Sequence, residues 1–232
     1  MDGIDLRTDG IAVRDRFLTR PQIRALAASA RKRRERGGFA AARIGADRQL
    51  QRRAEIRGDS ICWLTEPLFA PERALLRRLE NLRVQMNRDA FLGLFELELH
   101  YAWYPPGTGY ARHVDQPQDR SQRLVSLVLY LNERWEPSDG GELRIFGEER
   151  HRDIEPLGGR LVVFLTERRE HEVLPTRQSH MREPQQHSCQ CANWGNTGRE
   201  PRSREPCHVP GHGSPDAARN WRRPNSIRGC ET

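Results

Sequence analysis

From Phe91 onward the period of the apolar residues changes from helical to two, most plainly in LFELELHYAWY, and that rhythm limits the fold more than any other feature. LFELELHYAWY, RLVSLVLYLN, GELRIF and GRLVVFLT are each short, rich in Val, Ile, Leu and aromatics, and bounded by Gly, Pro, Asp or Asn. Alternate side chains of a strand face opposite ways, so such segments read as half-buried strands, and their close succession as an antiparallel barrel or jelly roll. Upstream the period is helical. A short extended stretch over residues 11 to 20 leads to Thr19 and Pro21, the N-cap and first turn of a helix that runs to about Arg36, where Gly37-Gly38 stops it. A second helix opens at Pro71 and carries Leu75, Leu76, Leu79, Leu82 and Met86 at three-and-four spacing. Between them, Phe39 to Gly58 is polar, arginine-rich and aperiodic, and is expected to be a long surface loop. The fold class that follows is mainly β with flanking helices.

With 232 residues there is room for one substantial domain and a tail. The domain is expected over 1–177, with a core at about 92–177 and helical support over about 1–91. At Arg177 the character of the chain breaks. From Gln178 to Thr232 there is no leucine, and Val209 and Ile227 are the only aliphatic β-branched residues. A segment this poor in apolar area cannot offset its ordering entropy, so 178–232 is expected to be a disordered tail. MDGIDLRTDG lacks the basic start and apolar stretch of a secretory signal, and the longest apolar-rich run, Leu124 to Leu131, is too short for a bilayer. No membrane association, a cytoplasmic location and a monomer are the expectations. Four of the five cysteines lie in the tail, and Cys62, flanked by apolar residues, reads as core packing.

A formal charge of +7 invites a nucleic-acid reading. Yet of the 39 basic residues only Lys32 is a lysine, and the arginines run along the whole chain instead of gathering in a patch. The one dense run, Arg31 to Arg34, ends the first predicted helix, where cations complement the helix dipole. Neither aromatic platforms nor a groove-reading helix accompanies it. A nucleic-acid partner therefore ranks lowest.

The chemistry is concentrated in HYAWYPPGTGYARHVD. Residues i and i+2 of a strand share a face, so His113 and Asp115 can present an imidazole and a carboxylate to one point. A third ligand must come from elsewhere, and His171 follows the strand GRLVVFLT, 171 − 115 = 56 residues beyond Asp115. Two neutral imidazoles and a carboxylate on one side of an ion leave three adjacent positions open, the arrangement that suits Fe(II) oxygen chemistry; structural zinc would close its shell. On its own an HxD pair is a weak signal, since the spacing is common in solvated strands.

The surrounding text strengthens it. Arg57-Gly58-Asp59 with Trp63, Tyr104-Pro105-Pro106-Gly107-Thr108-Gly109-Tyr110 leading into His113 and Asp115, Tyr130-Leu131-Asn132, Gly140 to Phe146, Asp153 to Pro156, and His171-Glu172-Val173 occur in that order. Over residues 10 to 177 the chain thereby resembles the prolyl 4-hydroxylase branch of the 2-oxoglutarate dioxygenases, especially the EGL-nine or hypoxia-factor prolyl hydroxylases and their bacterial relatives. The resemblance implies a double-stranded β-helix, or jelly roll, with His113, Asp115 and His171 as Fe(2+) ligands. It implies 2-oxoglutarate as cosubstrate, with Tyr130 at its far carboxylate and Tyr104 lining the same pocket, and L-ascorbate as the agent that keeps iron reduced. It implies a loop over the site mouth, with Arg57 and Asp59 as candidates for ordering it; an ion pair that merely stabilises a turn is the plainer alternative. The implied reaction is hydroxylation of a prolyl residue in a protein or peptide, coupled to decarboxylation of 2-oxoglutarate to succinate.

The resemblance fails at one place. The family sets a basic residue nine positions beyond the second histidine, on a further strand, to hold the far carboxylate. Here 171 + 9 is His180, Arg177 comes six residues on, and HMREPQQHSCQCANWG has neither alternation nor apolar content. No strand is expected there, and Arg177 is the candidate anchor by default, although a bidentate guanidinium contact is sensitive to register. A displaced reading frame just beyond Arg177 would explain an alien tail on an oxygenase body. The alternative function is a catalytically impaired oxygenase body, lacking its 2-oxoglutarate anchor and acting at most as a binding protein.

Overall fold

A computed structural model describes residues 4–6, 8–43, 53–115, 123–166 and 169–177, and, for the backbone alone, 187–195. Two antiparallel sheets face each other. The larger has seven strands in the order β1-β9-β6-β11-β4-β3-β2 and the smaller four in the order β5-β10-β7-β8. In chain order these are β1 Ile11–Arg14, β2 Ala40–Ala41, β3 Ser60–Trp63, β4 Glu96–Tyr104, β5 Tyr110–His113, β6 Arg123–Tyr130, β7 Leu143–Phe146, β8 His151–Ile154, β9 Leu161–Leu165, β10 His171–Val173 and β11 His187–Gly195. The helices are α1, Arg20–Glu35, and α2, Ala70–Ala90.

Alternation sorts the two faces of the large sheet. Val125, Leu127 and Leu129 of β6, with Leu161 and Val163 of β9, point outward to Ile23 and Leu26 of α1 and to Leu75, Leu79, Leu82 and Met86 of α2. The residues between them, Tyr130, Val162 and Phe164, turn inward against Leu143, Ile145 and Ile154 of the smaller sheet. Both faces of β9 are covered, which is why LVVFL is apolar without a break. The inner space between the sheets is where the polar residues of interest gather.

The helices match the sequence reading. Thr19 caps α1, its N–H bonded by the Gln22 side chain, and Phe91 ends α2 in the left-handed conformation. No helix of the described residues is long and apolar enough to cross a membrane. The loop expected over Phe39 to Gly58 carries the two-residue β2, and 44–52 fall outside the described residues.

One expectation is overturned. The stretch beyond Arg177 does form a strand: β11 lies between β4 and β6, antiparallel to both, with nine paired positions against β4. Strand pairing is a backbone transaction. The edges of β4 and β6 would otherwise leave rows of buried N–H and C=O groups unpaired, and His187–Gly195, free of proline, satisfies both rows despite its lack of apolar alternation. The disorder expected for the rest of 178–232 concerns residues outside those described.

Candidate metal centre

His113 ends β5 and His171 begins β10, and the two strands pair with His171 directly opposite His113. The ladder thus sets the two imidazoles side by side, with ring centroids 4.2 Å apart. Asp115, two residues past His113, completes a group whose ligand atoms all lie within 4.8 Å of one another. Its carboxylate oxygens stand 3.5 Å from His113 Nε2 and 3.6 Å from His171 Nε2. Those separations are too long for strong hydrogen bonds, and close to the ~3 Å expected between adjacent donors that each lie ~2.1 Å from a shared ion.

Each group is prepared for ligation by its own neighbours. His113 Nδ1 is 2.7 Å from Ala111 O and His171 Nδ1 is 3.2 Å from Arg169 O, so each Nδ1–H donates to a carbonyl and each Nε2 lone pair is left toward the centre. Burial, reinforced by the His113 charge, lowers the His171 pKa and favours the neutral imidazole, the ligating form; Asp115 opposes this in part. Burial would raise the Asp115 pKa, but hydrogen bonding and charge from His113 and His171, with the Ser126 hydroxyl, hold it well below the usual carboxylate range. Phe164 sets its ring edge-on to His171 at 4.9 Å and closes the inner side. His171 is buried and His113 and Asp115 are partly exposed, so the centre opens on their side. The set fits Fe(II): two neutral nitrogens and one carboxylate oxygen, oriented from behind, with nothing in it that would exclude further ligands.

Sequence reasoning missed Ser126. Its Oγ–H donates to Asp115 Oδ2 over 2.6 Å from β6, on the opposite sheet. A signal existed, because Ser126 is the lone polar residue of LVSLVLYL and shares the inward face with Tyr130. Tyr130, assigned to the far carboxylate, and Tyr104, assigned to the lining of the same pocket, are both buried in the cluster between the sheets. Arg177 is not with them. It is exposed, and its N–H is bonded to Asp139 O beside the Gly140–Thr176 bridge. Arg57 and Asp59 form a bidentate ion pair at 2.8 and 3.2 Å, as the plainer alternative held, but the pair does not end there: the Arg57 guanidinium also lies 4.6 Å over the Tyr110 ring.

A jelly roll that brings two histidines and an aspartate to one open point has the architecture of a non-haem iron oxygenase. Comparison with known proteins narrows the class. Residues 99–188 match the 2OG-Fe(II) oxygenase superfamily. Egl nine homolog 1 of Homo sapiens is 34% identical over 177 residues, which cover 72% of this chain and 41% of that protein. The chain spans about half or less of the length of that protein in human, rat and mouse. A prolyl-4-hydroxylase from Pseudomonas putida is 37% identical, with a TM-score of 0.73 over 84% of this chain and 96% of that one. A prolyl hydroxylase from Trichoplax adhaerens, solved with a hypoxia-inducible-factor peptide fragment, gives 0.73 at 25% identity over 82% and 86%. The chain belongs to the 2OG-Fe(II) oxygenase superfamily, as a member of the prolyl-hydroxylase type.

Proposed function

We propose that this chain is an Fe(II)- and 2-oxoglutarate-dependent dioxygenase that hydroxylates a prolyl residue of a protein or peptide. The observation that carries the reading is the convergence of His113, Asp115 and His171 with their Nδ1 atoms tied back to carbonyls. When bound, iron and 2-oxoglutarate supply oxygen activation coupled to release of succinate and carbon dioxide. The chain's own part is positional. The two histidines and Asp115 hold the ion on one side, Ser126 fixes the carboxylate, and Phe164 and Ile145 keep water from the inner wall.

Tyr130 and Tyr104 are proposed to take the far carboxylate of 2-oxoglutarate, phenol hydroxyl donors whose rings pack in the inner cluster. Arg177 is the basic candidate from the rim, and L-ascorbate the proposed reductant. A cytoplasmic monomer remains the proposed state. The direct test is succinate release from 2-oxoglutarate, expected to require Fe(II) and to vanish in His113→Ala; failure of the wild-type chain to bind iron would sink the reading.

A second reading rests on the exposure of Arg177. With the family's anchor position falling on His180, outside the described residues, the body in this reading holds iron yet grips 2-oxoglutarate too weakly for turnover, as expected if the reading frame is displaced past Arg177. Calorimetric titration with 2-oxoglutarate separates the two, since an intact site binds and an anchorless one does not. Translating the coding DNA in its other frames tests the displacement: a β-like segment with a basic residue nine positions past His171 is the expected result.

A further inference from the structure

Residues 56 to 59 are tied to β5, the strand that delivers His113. Ala111 N–H donates to Ile56 O over 2.7 Å, Gly58 N–H donates to Gly109 O over 3.0 Å, and Arg57 bridges Tyr110. The approach is close enough to require glycine at position 58, where a Cβ would sit 2.5 Å from Thr108 Cβ; Gly109 is pressed from the other side, by β10, where a Cβ would sit 2.4 Å from Val173 O.

Tyr110 and His113 are three residues apart, and in a regular strand they would face opposite ways. They do not, because β10 pairs His171 with His113 but Val173 with Tyr110. Two steps on β10 match three on β5, and the extra residue is a bulge of the kind that re-aims a side chain. The Tyr110 ring lands flat on the His113 imidazole, with centroids 3.5 Å apart and planes 16° from parallel.

Two neutral rings avoid such overlap, because their like quadrupoles repel. An imidazole that has given its electron pair to a cation is electron-poor, and a phenol face attracts it. The stack therefore suits the metal-bound form of His113. With His113 on one face of Tyr110, the Arg57 guanidinium takes the other, and Arg57 is itself fixed by the buried Asp59. A ring held on both faces cannot turn away.

We propose that Tyr110 is a positioning residue for the ligand His113, and that Arg57, fixed by Asp59, is its backstop, so that the pose of residues 56–59 is transmitted to the metal. The inference rests on the reading of His113 as a ligand. A peptide that displaced residues 56–59 as it bound would change the set of His113 at the ion, which links substrate arrival to the geometry of the centre.

The test is titration of the full chain with Co(II), reading dissociation constant and visible absorption spectrum, beside thermal melting without metal. Tyr110→Leu is expected to bind Co(II) on the order of tenfold more weakly, with a shifted spectrum. Tyr110→Phe, which keeps the ring, is expected to match the wild type in both. Arg57→Gln is expected to shift the spectrum in the direction of Tyr110→Leu with a smaller loss of affinity. A wild-type spectrum and affinity in Tyr110→Leu overturns the proposal. Should that variant fail to fold, an Arg57→Gln protein that melts earlier but keeps the wild-type spectrum overturns it instead, since that is the mark of a merely structural pair. Failure of the wild-type chain to bind Co(II) would remove the ligand reading and the proposal together, whereas unchanged variants remove the stack alone.

Discussion

Two carboxylates on opposite faces of the same sheet, the buried Glu72 and the half-buried Asp115, are treated in opposite ways. On the helix side Glu72 of α2 is fully enclosed. Its Oε1 accepts from Arg33 Nε at 2.7 Å and Tyr101 Oη at 3.1 Å, and its Oε2 from Arg33 Nη2 at 2.6 Å and the Phe69 N–H at 2.8 Å. Charge is matched by charge, and each oxygen has two donors. On the inner side Asp115 has the Ser126 hydroxyl behind it and two imidazole nitrogens at 3.5 and 3.6 Å, arranged around a common point. The first cluster is complete without anything further, and the second makes sense with an ion in it. A carboxylate inside a fold is thus read by how its lone pairs are spent, not by its burial.

That contrast is open to direct attack, the largest effect being expected at Glu72. Glu72→Ala leaves Arg33 buried without its counter-charge and should cost about 3–5 kcal/mol in chemical denaturation, while any folded fraction keeps its metal affinity. Loss of metal binding with stability intact would reverse the assignment of the two clusters. Ser126→Ala is the mirror image. Its metal affinity should fall on the order of tenfold, measured by titration, with stability lower by only about 1 kcal/mol. Tyr101→Phe removes one of four donors to Glu72 and should cost about 1 kcal/mol with no effect on the metal.

The smallest effect is expected outside both clusters. On the smaller sheet Arg144 holds Asp153 by paired contacts of 2.7 and 2.8 Å, lowering its pKa, but the pair is well exposed. Asp153→Asn should cost under about 0.5 kcal/mol at neutral pH. A depressed carboxylate pKa contributes stability above its unfolded value of ~3.9 and loses it as pH falls through the folded one, so the gap between mutant and wild type should close in strong acid.

Much of this was legible in the residues. The i, i+2 pair of His113 and Asp115, the period of two in β4, the short apolar runs of β6 and β9, and the three-and-four spacing of α2 are local patterns, and local patterns survive in sequence. What escaped depends on partners that are distant in the chain. Ser126 acquires its role only because the sheets bring β6 against Asp115. The Tyr110 stack depends on a bulge that is visible only once β5 and β10 are paired. The strand β11 was missed for the opposite reason, since its place was determined by the vacant edges of β4 and β6 and hardly at all by its own side chains.

The position of β11 also has a consequence in time. The first residue it pairs on β4, Tyr104, is matched by His187, 83 residues later in the chain. At synthesis rates of roughly 5–20 residues per second the nascent sheet waits several seconds with a slot open in its middle. Contacts of such long range also make for slow closure. Until the last described strand emerges, β4 and β6 offer two bare edges to any other chain nearby, and the period of greatest exposure to misassembly falls between the emergence of β6 and that of β11.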